Sequence, residues 1–243
     1  MRIHNYIDIH THILPGVDDG AKNMEETIAM LKMAYEEGIL TIIATPHYTC
    51  GKGNVKVEEL QEKKKQVEEE AKKIDKDFSI YLGNELFYSD GIINDLKSGK
   101  ALTLADSRYV LVEFMPSAPY EKIRLAIHKF VLAGYAPIIA HMERYQCLYR
   151  KEELIEELIE LGAYIQMNTG SLKGGFFNQE VSNNKKMVSL GLVHFFGSDC
   201  HNTGQRMPRM ESTLENLRKK VDHELLDQIL FHNPRKIIEN KYV

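Results

Sequence analysis

The stretch "YIDIHTHILPGVDDG", residues 6–20, sets His10 and His12 one residue apart at the end of an apolar run, followed by Gly16 and the adjacent Asp18 and Asp19. On a strand, alternate side chains share a face, so the two imidazoles project together and suit one cation. Taken alone, such a pair also describes two surface histidines on an edge strand.

Elsewhere the same chemistry recurs. "TPH" ends in His47, "GNE" ends in Glu85, "LVEF" carries Glu113, "IAH" ends in His141, and "GSDCH" holds Asp199 and His201. Imidazole and carboxylate without thiolate suit Mn(II), Fe(II) or Zn(II), and the carboxylates favour the harder ions. Carboxylates gathered this closely repel one another unless cations lie between them. His4, His128, His194, His223 and His232 fall elsewhere and are assigned packing or surface roles.

These side chains can meet only if the elements bearing them converge. Seven β-rich apolar runs read as strands, at 6–10, 41–45, 79–85, 109–114, 136–141, 163–168 and 193–199. Helical patterns alternate with them at 23–38, 57–75, 120–134, 151–162 and 178–191, the first with Asn23 as cap and Gly38 as stop. The tail from Met207 reads as two or three more helices. Alternating strands and helices call for parallel pairing with right-handed crossovers, and seven units without a linker predict a distorted (β/α)7 TIM-like barrel, one α/β domain over residues 1–243. Such barrels build their sites at the C-terminal rim, where six of the seven strand ends here offer a metal-capable side chain.

Composition excludes several other classes. With 43% apolar and 27% charged residues and a net charge of -4, the chain has no basic field for nucleic acid. No apolar run approaches the roughly 18 residues of a membrane span, and the N-terminus lacks a signal-peptide pattern. Cys50, Cys147 and Cys200 are widely spaced and odd in number, which fits neither a disulfide framework nor a four-thiolate zinc site. A cytoplasmic protein is expected.

The ordered set "DIHTH", "PGVDDG", "ATPH", "GNE", "LVEF", "IAHMERY" and "GSDCHN", with "NPRKII" near the C-terminus, resembles the polymerase-and-histidinol-phosphatase (PHP) superfamily. Within it, the chain is similar to the bacterial manganese-dependent tyrosine phosphatases of capsular and exopolysaccharide operons. The resemblance covers nearly the whole chain and implies three ions, Mn(II) first, with Fe or Zn as alternatives. It implies His10, His12, Glu85 and Asp199 on one ion, and Glu85 bridging to a second held by Glu113 and His141. Asp19, His47 and His201 hold the third, with Gly16 letting the chain fold back over the rim; a one-residue shift in that turn would substitute Asp18 for Asp19. Arg144, three residues after His141, is implied as a phosphate-binding catalytic residue. Arg206 follows His201 at a similar remove and is a second candidate to fork hydrogen bonds onto phosphate, with a surface ion pair as its competing role.

Four carboxylates against three divalent ions leave net positive charge, the complement of a phosphate monoester dianion. Ions about 3.5 to 4 Å apart lower the pKa of a bridging water and clamp phosphoryl oxygens. The resemblance implies hydrolysis of phosphotyrosine, with the tyrosine-rich tail of a bacterial tyrosine autokinase as partner. A histidinol-phosphate phosphatase or other small phosphomonoesterase is the alternative, and a non-catalytic phosphopeptide-binding regulator a third. A thiolate route competes on spacing, because Cys200 and Arg206 enclose five residues as in cysteine-based tyrosine phosphatases. The loop "CHNTGQR" has its glycine one place late for that signature, so Cys200 reads as a small residue between two ligands. Tyr48, Phe87, Tyr88, Tyr120, Tyr145 and Tyr149 are candidates to stack on a phenolic ring.

Overall fold

The apolar runs form parallel strands in the computed structural model, which describes residues 5–174, 178–215, 217–219 and 221–243. They are β1 (Tyr6–Thr11), β2 (Ile39–Ala44), β3 (His47–Thr49), β4 (Ser79–Leu82), β5 (Glu85–Phe87), β6 (Tyr109–Glu113), β7 (Ala136–Ile139), β8 (Tyr164–Asn168) and β9 (Phe195–Gly197). One expected strand, 79–85, is broken in two, and a short strand follows the expected strand 41–45. Pro46 has no N–H to give a ladder and separates β2 from β3. Gly83 and Asn84 separate β4 from β5: a side chain at Gly83 would strike Leu104, and Asn84 donates to the Pro46 carbonyl at 2.9 Å and accepts from the Leu102 N–H at 2.9 Å. The paired breaks let the upper segments form their own ladder, with His47 in register with Glu85.

The strands hydrogen-bond in the orders β1-β2-β4 and β3-β5-β6-β7-β8-β9. Because β2 continues into β3 and β4 into β5, these segments form seven staves, as the alternation of strands and helices requires. The first and last staves meet just beyond β9, where Asp199 N–H donates to the His10 carbonyl at 2.8 Å and His12 N–H to the Cys200 carbonyl at 2.9 Å.

One apolar cluster joins Ile7, Ile9, Ile43, Leu111, Ile138 and Phe195. These residues come from staves all around the ring, a set that only the interior brings together. Alternation along the strands then turns the interior polar toward the C-terminal rim: Tyr109, Leu111 and Glu113 share one face of β6, and Tyr164, Gln166 and Asn168 share one face of β8. Helices α1 (Met24–Glu36), α2 (Val57–Ile74), α4 (Tyr120–Leu132), α5 (Glu152–Glu160) and α6 (Gln179–Ser189) lie where the helical patterns predict, and the short α3 (Ile92–Lys97) is an addition. Asn23 caps α1 by accepting from the Glu26 N–H. In the tail, α7 (Glu211–Leu214), α8 (His223–Asp227) and α9 (Asn233–Ile238) are short, and Ile237 joins the interior cluster from the N-terminal end. No helix among the described residues is long and apolar enough to cross a membrane.

Candidate metal centre

Glu85 heads β5 and is only 1% exposed, at the centre of the converging side chains. Its Oε2 lies 3.0 Å from His47 Nδ1, 3.2 Å from His12 Nε2 and 3.3 Å from His10 Nε2. Among the described residues that oxygen nevertheless has no hydrogen-bond partner. Glu85 Oε1 lies 2.8 Å from His141 Nε2, and Glu113 Oε1 lies 3.4 Å from the same nitrogen. Asp199 Oδ1 stands 3.5 Å from both His10 Nε2 and His12 Nε2, while Asp19 Oδ1 stands 3.3 Å from both His47 Nε2 and His201 Nε2. All nine candidate ligands therefore meet at the rim. By distance alone, His12 groups with Asp19, His47 and His201 as well as with His10 and Glu85, and His47 also groups with Glu85 and Glu113.

The donor set fits divalent cations. His10 Nε2 and His12 Nε2 face each other at 3.3 Å while both face one carboxylate oxygen, an arrangement that a shared cation satisfies in full. His201 Nε2 is buried without a hydrogen-bond partner among the described residues. The opposite ring nitrogens are engaged: His12 Nδ1 with Asp18 Oδ2 at 2.7 Å, and His201 Nδ1 with the Asp199 carbonyl at 3.0 Å. A proton held on Nδ1 leaves Nε2 bare for a metal, the usual arrangement behind a metal-binding histidine.

The charges carry the same message. Burial resists a proton on His12, yet Asp18 and Glu85 raise its pKa to about 10. Burial likewise opposes protonated His141, but Glu113 and Glu85 raise it to about 9. Against the upward push of burial, His10, His12 and His141 hold Glu85 well below the usual carboxylate range. Protons here neutralise what a cation would. His201 runs the other way, lowered to about 4 by burial and by the neighbouring His12 charge, so it is the neutral, ligating form at pH 7.

Two candidate ligands have left-handed backbones, His141 with φ 32° and Asp199 with φ 51°. Such conformations cost a non-glycine residue about 1–3 kcal/mol and concentrate at functional sites. Gly16, with φ +63°, makes the return turn over the rim.

Both arginines reach Asp199. Arg144 Nη2 donates to Oδ2 at 2.5 Å and Arg206 Nη2 donates to Oδ1 at 2.8 Å, with Arg206 Nη1 also 3.9 Å from Asp19. A cavity of about 720 Å³ opens beside them, lined in part by Glu143, Tyr149 and Lys173. Of the aromatics, Tyr48, Tyr88 and Tyr145 are buried, Tyr145 with its ring 6.0 Å from that of His141, and Tyr149, 39% exposed, borders the cavity. Cys200 is buried, and burial pushes its thiol far above the usual range, against the thiolate a nucleophilic route needs. His194 is an acceptor for the Ile165 N–H, a structural role, and His4 lies outside the described residues.

Sequence reasoning missed Asp18 as the partner of His12, and Gln166 and Asn168 beneath the rim. Asp18 also accepts from the His47 and Gly20 N–H groups, and the three bonds bring its pKa to about 2 against the opposing push of burial. That engagement leaves Asp19 as the aspartate beside His47 and His201. The available signal for the amides was two polar residues at alternate positions in the otherwise apolar "AYIQMN".

Fold and site together define a class: TIM-like barrels that gather metal-binding side chains at the C-terminal rim. A dihydropyrimidinase from Brevibacillus agri shares the fold at TM-score 0.59 and 14% identity, covering 98% of this chain and 71% of that one. Residues 6–239 match the family of capsular polysaccharide synthesis proteins CpsB/CapC, and the chain belongs to that family. The tyrosine-protein phosphatase CpsB of Streptococcus pneumoniae is 36% identical over 242 residues, 98% of this chain and 100% of the relative. A crystal structure from work on YwqE of Bacillus subtilis and CpsB of Streptococcus pneumoniae, described as metal-dependent tyrosine phosphatases, superposes at TM-score 0.87 and 30% identity, covering 98% and 96% of the two chains.

Proposed function

We propose that residues 1–243 act as one unit, a metal-dependent protein-tyrosine phosphatase. The observation that carries the proposal is the cradle around Glu85 Oε2, three imidazole nitrogens at 3.0–3.3 Å with no hydrogen bond among them to that oxygen. His10, His12, Glu85 and Asp199 are proposed for one ion, Glu85, Glu113 and His141 for a second, and Asp19, His47 and His201 for a third. Mn(II) is the ion proposed, because the carboxylates of this thiolate-free set favour the harder ions; Fe and Zn, which the imidazoles also suit, are the alternatives.

Bound divalent ions would supply an activated water and positive charge for the phosphoryl oxygens. The chain's own residues do the rest. Arg144 and Arg206, now shared on Asp199, are free at their outer edges to turn guanidinium N–H groups onto phosphate. The cavity beside them admits the ester, and Tyr149 at its border gives the phenolic ring an aromatic neighbour. Hydrolysis breaks the bond between phosphorus and the phenolic oxygen, with water as the other reactant, releasing tyrosine and inorganic phosphate.

The relatives named as tyrosine phosphatases and the family's link to capsule synthesis support a phosphotyrosine protein substrate; the tyrosine-rich tail of a bacterial tyrosine kinase is the partner proposed. A cytoplasmic location is proposed with it, a reducing compartment that the three free thiols, Cys50, Cys147 and Cys200, suit. The test is kcat/KM of Mn(II)-loaded protein on a phosphotyrosine peptide, a phosphoserine peptide and histidinol phosphate. Clear preference for the first is expected. Preference for histidinol phosphate would assign the site to a small-molecule phosphatase, and no turnover of any ester to a binding regulator.

A further inference from the structure

β8 is the one stave whose end carries no candidate ligand. It ends instead in Gln166 and Asn168, whose amides run from His141 to Asp199. The direction of that chain is fixed by a single group. The backbone N–H of His141 can only donate, and it meets Gln166 at 2.7 Å, which makes the atom there the carbonyl Oε1. The other arm of the amide therefore donates, Nε2 to Asn168 Oδ1 at 2.9 Å. Asn168 in turn gives Nδ2 to Asp199 Oδ2 at 2.8 Å. Reversing either amide would set donor against donor.

The same Gln166 Oε1 lies 3.1 Å from His10 Nδ1. An acceptor at that distance places a proton on Nδ1, which makes Nε2, toward Glu85 and Asp199, the nitrogen available to a cation. The amide occupies space that Gly197 vacates: a Cβ there would fall 3.0 Å from Gln166 Nε2 and 2.7 Å from His10 Cβ. Gln166 and Asn168 are both buried, so neither amide can exchange these partners for water without loss.

We propose that Gln166, with Asn168 behind it, is the positioning residue of the metal centre: it selects the His10 tautomer and ties His10, His141 and Asp199, from three staves, to one another. The proposal rests on the metal reading above and deepens it. Gln166 touches no substrate and acts only through the side chains it holds.

The test compares the metal-stripped full chain as wild type, Gln166→Met and Gln166→Glu, titrated with Mn(II), and reads the His10 tautomer by heteronuclear NMR in Zn(II)-loaded wild-type protein. Gln166→Met removes the acceptor and should weaken Mn(II) binding roughly 10- to 100-fold, the range for lost outer partners of metal-binding histidines. Gln166→Glu keeps an oxygen for both donors but turns an acceptor toward Asn168 Oδ1, so it should recover only part of the affinity lost in Gln166→Met. The proton of His10 should sit on Nδ1. Unchanged Mn(II) affinity in folded Gln166→Met overturns the proposal, as does a wild-type His10 proton on Nε2, which needs no variant to fold. Wild-type protein that binds no Mn(II) would defeat the metal reading itself, and that failure appears before any substitution is made.

Discussion

The inner and outer sides of the proposed centre are held in different ways. On the inner side, Glu85, His10 and His12 are almost wholly buried, and Gln166 and Asp18 engage the far nitrogens of the two rings. On the outer side, the side chains of His47 and Asp19 are 37% and 63% exposed, although His201 is buried, and among the described residues Asp19 pairs with His47, His201 and Arg206. The inner side is therefore built before an ion arrives, by packing and hydrogen bonds that cannot relax. The outer side, with two of its three side chains facing solvent, would take its final shape from the ion it held. An ion held there should exchange faster and bind more weakly.

The largest effect should come from breaking the inner side. Glu85→Ala leaves buried imidazoles without their shared carboxylate, which should abolish turnover and cost about 3–5 kcal/mol of stability. Metal analysis and thermal unfolding check both. Near-normal activity in that variant would erase the distinction between the two sides.

Next comes the arginine that bridges the inner side to the cavity. Arg144→Ala should raise the barrier by roughly 2 to 4 kcal/mol with KM changed less, the scale for one preorganised donor acting in the transition state. Arg144→Lys should recover only part, since a point charge cannot reproduce a bidentate fork. Steady-state kinetics at unchanged metal content decide this.

A smaller loss is expected on the outer side. Asp19→Ala should remove one ion from the bound stoichiometry while moving stability by no more than about 0.5 kcal/mol, as for other exposed substitutions. If it instead unfolds the protein, the outer side is as firmly built as the inner.

Acidity sharpens the same contrast. The His12 and His141 pKa values, raised to about 10 and 9, give the metal-free protein stability that is fully present below 6.5 and lost as pH rises through 9 to 10. Those protons must leave when a cation binds, so inner-side metal affinity should rise with pH over that window. His201, lowered to about 4, has no proton to release above that pH. Proton release measured by calorimetry in buffers of different ionisation enthalpy would reveal the difference. The smallest effect of all is expected from Cys200→Ser, which should keep most of the activity.

The alternating strands and helices were legible because β-branched runs and capped amphipathic stretches differ in period. The break at Gly83 was less so, since it lies inside the run 79–85 that reads as continuous, and the packing of Gly83 on Leu104 with the hydrogen bonds of Asn84 explains it; the short strand after Pro46 was not read at all. The candidate ligands were legible because imidazoles and carboxylates at strand ends have few structural reasons to be there. Asp18 and Asp19 could not be told apart, because one residue of backbone turn decides which reaches His12 and which reaches His201. Gln166 was invisible as a functional residue because an amide binds no metal itself, and its role exists only through three residues distant in sequence.

The most direct test of the metal-centre account is turnover of a phosphotyrosine peptide after exhaustive chelation, with metal content measured on the same sample. The account predicts no activity in the stripped protein and recovery on adding Mn(II), to a higher rate than with Mg(II). Full turnover with metal content confirmed as nil would contradict it.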